Sequence, residues 1–357
     1  MLAYIGTGND EKGKGIHLCE FDPETGGLTN TGHVVEDRRP AFIALHPYKQ
    51  FLYSTSQVQG AEGKPTGGVS AYAINPADGH LTFLNRQASR GEGPCHLTVD
   101  ASGRYVLVAN YSSGSVALLP LAAEGSLEEA TDFDQHEGAS VDEKRQQGPY
   151  AHSIFPDPTN RFALSCDLGI DKVLVYKLDL ENGKLISGEQ PWASMKPGAG
   201  PRHLDFHPNG KIIYVINELN NTVTGFRWDA REGTLEEFQH ASTLPKGYTE
   251  TTYCADIHVH PNGKFLFGTN RGHNSIAVFR MNDASGELDL TGLEPCGGDF
   301  PWNFTLDPGG RWMIVANQRS NNLVVFAVDP ETGSLAHTAE LTGISSPRCV
   351  KLVALPC

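Results

Sequence analysis

The sequence predicts an all-β fold, a seven-bladed β-propeller in which one blade is closed by strands from both chain ends. Three observations carry this. One polar turn recurs seven times, a second hairpin recurs six times within the same period, and two half-hairpins stand alone at the termini. The first turn reads DPETGGL, NPADGHL, LAAEGSL, DLENGKL, DAREGTL, NDASGEL and DPETGSL, with its glycine at Gly26, Gly79, Gly125, Gly183, Gly233, Gly286 and Gly333. The repeats are 46 to 58 residues apart, and several short strands in a period of about 40 to 50 residues mark a propeller blade.

Within each period a strand, a tight turn and a second strand follow in order: AFIALHPYKQFLYSTS, CHLTVDASGRYVLVAN, HSIFPDPTNRFALSCD, RHLDFHPNGKIIYVIN, ADIHVHPNGKFLFGTN and NFTLDPGGRWMIVAN. Their turns centre on Pro47, Ala101, Pro158, Pro208, Pro261 and Pro308. Pro with Gly or Asn between β-branched and aromatic runs is a hairpin signal, because it presets the turn dihedrals. The seventh hairpin is split. SPRCVKLVAL near the C-terminus reads as an innermost strand, and LAYIGTG near Met1 as the strand beside it, which removes two open sheet edges. Residues 1–357 are therefore expected to form one propeller domain.

Composition narrows the function. A net charge of −14, from 28 basic and 42 acidic residues, disfavours nucleic acid and anionic membrane as partners. No apolar run approaches the ~18 residues that span a bilayer. Met1 leads directly into a strand with neither a basic nor an apolar leader region. The seven cysteines are odd in number and form no CxxC pair, so reduced thiols and a cytoplasmic location are expected. A monomer or weak oligomer is expected. Residues Gly8–Gly15 approach a phosphate-binding loop but lack its Ser or Thr, and a strand follows where a helix is required. A surface turn is the expectation there. No GxSxG elbow and no His/Cys spacing for zinc is present, and neither cofactor nor metal is expected.

Aligning the repeats exposes the residues that break the pattern. The position just inside each innermost strand holds Ala41, Cys95, His152, Arg202, Ala255, Trp302 and Arg348. The loop after the second strand, one residue past an Asn-like position, holds Gly8, Gln57, Tyr111, Leu168, Glu218, Arg271 and Gln318. In an up-and-down blade both positions lie at the same end. His152, Arg202, Glu218 and Arg271 thus fall on three consecutive blades as candidate catalytic groups. His96, His203, Asp256 and Asn303 on the neighbouring strand position, with Tyr111, Tyr150 and Gln318, are candidate substrate contacts. Leu204, Phe206, Ile257, Val259, Phe304 and Leu306 alternate with them and read as core between blades. His258 and His260 read as channel-wall or turn residues rather than ligands.

Two guanidiniums in an acidic protein suggest a small anionic substrate, since Arg grips carboxylate or phosphate with a two-pronged fork. His152 or Glu218 can move a proton, and an Arg can stabilise an oxyanion. Glu218 can also serve as a structural bridge to Arg202 or Arg271. No Ser or Cys nucleophile stands beside a base, so direct water attack on an activated ester or an intramolecular carboxylate addition fits best.

The segments GPYAHS (148–153), GPRHLDFHPNG (200–210), INELNNTV (216–223), CADIHVHPNGKFLFGTNRGHNSIAVF (254–279) and PWNFTLDPGGRWMIVANQRSNNLVVF (301–326) resemble the seven-bladed lactonase family, over essentially the full chain. That family includes propeller-type 6-phosphogluconolactonases and the fungal carboxy-muconate cyclase. The resemblance implies a cofactor-independent lactone hydrolase of sugar metabolism with His152, Arg202, Glu218 and Arg271 as its catalytic groups. Where the family shows PHAHS this chain has Tyr150, which keeps a hydrogen-bonding tip but is no general base near neutral pH. The polar segment 132–148 just before it reads as a lid or as a solvated loop. A muconate-type cyclase and a non-enzymatic interaction platform are the alternatives.

Overall fold

The computed structural model describes residues 1–8, 15–60 and 64–354. The near phosphate-loop segment beyond Gly8, and Cys357, lie outside the described residues. Every regular element is a strand, and the strands form seven four-stranded sheets, the seven blades. Chain packing groups the described residues into two compact units.

The first unit comprises Met1–Val34, Arg202–Trp228 and Glu236–Ala354 and carries four sheets. One combines Pro347–Val353, Leu2–Thr7, Ile16–Phe21 and Leu28–Val35, in that order. The C-terminal strand pairs antiparallel with the N-terminal one, Leu2 opposite Val353 and Gly6 opposite Cys349. The split hairpin is therefore closed as the sequence predicts. The other three sheets begin at Pro201, Tyr253 and Pro301 and keep chain order outward. Their cores are apolar side chains from facing blades. Ile257 and Val259 pack with Ile216, Leu266 and Phe279, and Phe304 packs with Phe267, Met313 and Val315. Each such fully buried ring or branched chain contributes roughly 1.5–3 kcal/mol.

The second unit, Val35–Pro201 with Asp229–Leu235, carries the three sheets that begin at Ile43, Pro94 and Ala151. Its core runs through Leu107, Val116, Ile154 and Tyr176. The segment 132–148 is not a free loop throughout. Asp132–Gln135 form the outermost strand of their sheet, and buried side chains tie down the stretch from 136 to 146. His136 Nδ1 lies 2.6 Å from Asp167 Oδ2, and Gln146 Nε2 donates to the Leu168 carbonyl at 2.8 Å.

Both recurrent turns are built as the sequence requires. The seven outer-turn glycines have φ between 64° and 85°, a left-handed conformation open to glycine at little cost. At Gly26 space is equally limiting: an added Cβ would lie 2.5 Å from the Trp312 ring of the adjoining blade. The inner hairpins close through the residue before the turn, for example Asp100, whose carboxylate accepts the Arg104 and Tyr105 amides at 2.8 Å. Where that residue is His it reaches the next blade instead: His260 Nε2 lies 2.8 Å from the Gly310 carbonyl. His260 is thus a turn residue.

Candidate active site

Two local devices position the candidate groups. The first is a clasp at the end of the second strand in five blades, where Asn110, Asp167, Asn217, Asn270 and Asn317 are all fully buried. The amides of Asn110, Asn270 and Asn317 donate to the Ser89, Thr243 and Cys296 carbonyls at 2.9–3.1 Å. Asp167 accepts the Tyr150 amide at 2.7 Å. These bonds satisfy loop carbonyls and amides that would otherwise be buried unpaired, and they fix the backbone from which Tyr111, Glu218, Arg271 and Gln318 project or directly follow.

The second device is a bulge at the mouth of the innermost strand. Pairing skips one residue between Pro94 and His96, between Ala151 and Ser153, between Pro301 and Asn303, and between Pro347 and Cys349. The skipped residues are Cys95, His152, Trp302 and Arg348. Between Cys254 and Ile257 the ladder skips Ala255 and Asp256. A bulged residue leaves the ladder and its side chain is re-aimed, so the repeat position singled out in the sequence is the one the backbone turns out of the sheet.

In the first unit Glu218 joins two arginines. Its Oε2 accepts from Arg202 Nε at 3.0 Å and from Arg271 Nη2 at 2.6 Å. Arg202, Glu218 and Arg271 are 1%, 5% and 5% exposed, so all three charges sit away from bulk water. The guanidiniums are fixed from behind as well, Arg202 Nη1 donating to the Ala255 carbonyl at 2.6 Å and Arg271 Nη2 to the Cys254 carbonyl at 2.8 Å. Glu218 thus pairs with both arginines at once, the contact that its bridging role in the sequence analysis requires.

Behind Arg202 lies a buried acid–imidazole chain. His203 Nδ1 is 2.7 Å from Asp256 Oδ1, and its Nε2 is 3.3 Å from Arg202 Nη1. Burial, with Arg202 beside it, pushes His203 down to about 4, so near neutral pH it is uncharged. Its Nδ1–H then donates to Asp256, and Nε2 accepts from Arg202. Asp256 also receives the Asn303 amide and the Phe304 N–H. Burial opposes ionisation of Asp256, but His258 and His203 outweigh it and hold the carboxyl well below its usual range. His258 lies between Asp256 Oδ2 (3.3 Å) and Asp205 Oδ2 (3.6 Å). Burial works against its charge too, yet the two carboxylates raise it to about 9. His203, Asp256 and Asn303 are thus joined to Arg202 in one hydrogen-bonded chain. Gln318 donates its backbone N–H to the Phe300 carbonyl at 3.0 Å and its side-chain Nε2 to Ser346 Oγ at 3.4 Å.

In the second unit Tyr111, Tyr150 and His152 form one ring cluster. The tyrosines stack at 4.9 Å, and Tyr111 meets the His152 imidazole edge-on at 5.3 Å. Cys95 Sγ contacts His152 twice, at 3.9 Å from Nδ1 and 3.2 Å from its carbonyl oxygen. His96 is packed between Phe42 and Phe155, with ring centroids at 4.3 and 4.4 Å, and its Nδ1 accepts the Ile154 amide. That environment is one of packing.

Sequence reasoning left two first-unit residues outside the candidate set, Trp302 and Arg348. Both occupied the aligned inner position, and the signal was an aromatic and a third guanidinium in that same row. Among the described residues no group of three His, Cys, Asp or Glu is arranged to hold a metal.

Comparison with known proteins agrees with this architecture. The profile of the family described as "Lactonase, 7-bladed beta-propeller" matches residues 2–352. The chain is 37% identical to a Bacillus subtilis protein named 6-phosphogluconolactonase, over 99% of this chain and 98% of that one. It is 34% identical to a Formosa agariphila protein of the same name, covering 93% and 94%. Among solved structures, a periplasmic gluconolactonase from Pseudomonas aeruginosa superposes with a TM-score of 0.93 at 31% identity over all of both chains. A structure described as a putative 6-phosphogluconolactonase from Bacteroides fragilis gives 0.91 at 30% identity, over 99% and 98%.

Proposed function

Because this chain belongs to the seven-bladed β-propeller lactonase family, we propose that it opens the ring ester of a sugar-acid lactone, 6-phosphogluconolactone foremost, by direct attack of water. The observation that carries this reading is the buried Arg202–Glu218–Arg271 array. Ester hydrolysis passes through a tetrahedral oxyanion, and donors fixed beforehand stabilise such a charge without reorganising as it develops. A carboxylate that receives two guanidiniums on one oxygen is poorly placed to take a proton from water as well. Glu218 is therefore assigned to hold the arginines, and His152 to accept the proton, imidazole being the side chain most often used for that task. Water adds to the carbonyl carbon as His152 takes its proton, and His152 returns that proton to the ring oxygen as the C–O bond breaks, giving the free acid.

A cytoplasmic setting is part of the same proposal; among the described residues no helix is long and apolar enough to cross a membrane. The function is tested by the hydrolysis rate of freshly generated 6-phosphogluconolactone above its spontaneous rate, with gluconolactone and carboxy-muconolactone in parallel. An enzymatic excess on a sugar lactone is the expected result. No excess on any of the three overturns the hydrolase reading, and turnover of the muconolactone alone replaces it with the cyclase chemistry.

A further inference from the structure

Three guanidiniums converge on the indole of Trp302. The Cζ atoms of Arg348, Arg271 and Arg202 lie 4.6, 4.7 and 5.5 Å from the ring centroid. Glu218 bridges two of them, Arg202 and Arg271. Arg348 belongs to another element, the bulge of the C-terminal strand Pro347–Val353. An indole face attracts a guanidinium without cancelling its charge, so Trp302 gathers positive charge from separate strands onto one ring.

The other side of Arg348 is set by the absence of a side chain. A Cβ on Gly8 would lie 2.8 Å from Arg348 Nε and 2.4 Å from Ser346 Oγ. Either distance is too short for a Cβ, so an alanine at position 8 would make the Arg348 and Ser346 side chains shift. Gly8 and Arg348 come from the two ends of the chain, and the closed blade brings them together. A second, independent observation points to a ligand. Arg271 is 5% exposed, and its buried Nε–H has no hydrogen-bond acceptor. A buried N–H left unpaired costs about 1–3 kcal/mol, and the cost disappears when a ligand oxygen reaches it.

From these observations we infer that Arg348 and Arg271, gathered by Trp302, form a specificity subsite for the phosphoryl group of the substrate, leaving Arg202 to the ester carbonyl. The inference rests on the lactonase reading. A phosphoryl group offers three oxygens to donors arriving from different directions, which suits two forks on separate strands. A carboxylate could engage the same donors, and the test separates the two.

The kinetic arm compares wild type with Arg348→Gln on 6-phosphogluconolactone and on glucono-1,5-lactone. KM for the phosphorylated lactone should rise by about ten- to a hundredfold, the loss expected of a charge-assisted contact. The kcat on that substrate, and kcat/KM on the unphosphorylated one, should stay within about threefold. Gly8→Ala keeps the guanidinium but displaces it, and should reproduce the pattern. Arg348→Lys, which keeps the charge, should recover part of the loss if Arg348→Gln folds poorly. Equal losses on both lactones, or no loss on the phosphorylated one, overturn the subsite.

The binding arm needs no turnover. Calorimetry with 6-phosphogluconate and with gluconate should show tighter binding of the former, abolished in Arg348→Gln. Should wild type bind 6-phosphogluconate through Arg348 yet hydrolyse neither lactone, the subsite stands and the hydrolase reading falls. Should it hydrolyse a sugar lactone but bind 6-phosphogluconate regardless of Arg348, or no tighter than gluconate, the subsite falls and the hydrolase reading stands.

Discussion

Replacing Glu218 by Gln separates a residue that holds arginines from one that takes a proton. The substitution keeps shape and one acceptor oxygen but removes the single charge between Arg202 Nε at 3.0 Å and Arg271 Nη2 at 2.6 Å. With an effective dielectric near 20, unit charges about 4 Å apart attract by about 4 kcal/mol each. Desolvation offsets much of that, and losing one partner of a buried ion pair costs roughly 3–5 kcal/mol in measured cases. The retained acceptor places Gln at the lower end, about 3 kcal/mol. Unfolding entropy of about 2.1 cal/mol/K per residue, over 357 residues, converts this to a fall in Tm of about 4 °C. Misaligned guanidiniums should lower kcat/KM by roughly 10²–10³, the range found on losing an oxyanion donor. The deciding readout is the pH profile of kcat. A holder depresses it evenly, whereas a general base takes the acid limb away with it. A variant with wild-type Tm and a lost acid limb would falsify the assignment and make Glu218 the base; full activity with a lowered Tm would reduce it to a structural bridge.

Other outcomes follow from the same geometry. His152→Gln should keep its Tm within about 2 °C and lose roughly 10²–10⁴ in kcat; activity near wild type would remove His152 from the chemistry. His258 is raised to about 9 from 6.5, so the stability it contributes is fully present below pH 6.5 and lost as pH rises through 9. Melting curves from pH 6 to 10 should therefore show an alkaline decline that His258→Gln flattens, and an identical decline in the variant would discharge the Asp256–His258–Asp205 contacts from any stabilising role. Gly26→Ala adds a Cβ 2.5 Å from the Trp312 ring at φ 75°, which should cost about 1–3 kcal/mol in a urea titration. A midpoint unchanged from wild type would mean the indole slides away freely.

The fold was legible because each of its units is written many times. A lone DPETGGL is a turn among many, but seven glycines at a near-constant spacing require seven equivalent outer hairpins, and all seven adopt the left-handed φ. The closing of one blade by Leu2–Thr7 and Pro347–Val353 was legible by subtraction, since each end carried half of a hairpin present whole six times elsewhere. The fate of 132–148 was not. Its composition is mostly polar, and what ties it down is the pair His136 and Gln146, whose partners Asp167 and Leu168 lie on a different strand or loop of the next blade. Polar residues buried by tertiary hydrogen bonds carry no periodic signature.

For the site, the comparison of repeats found positions but not roles, and the bulge explains both. A propeller blade must present the same ladder seven times to pack its neighbours, so variation is tolerated where a residue leaves the ladder without disturbing it. Cys95, His152, Trp302 and Arg348 share one skipped position and have four unrelated chemistries. The backbone cost of the bulge is met once by the repeat, and chemistry can then differ from blade to blade. The role of each residue depends on what its neighbours present, which the aligned column does not record. Glu218 stood in the sequence as base or bridge, and the structure adds that Arg202 and Arg271 meet on the same carboxylate oxygen, which no aligned column records. Arg348 looked like one more strand-end cation until Gly8 and Trp302 were seen to confine it. A repeat protein thus advertises where its chemistry lies through the residues that break the repeat, while the assignment of acid, base and anion holder rests on contacts between blades.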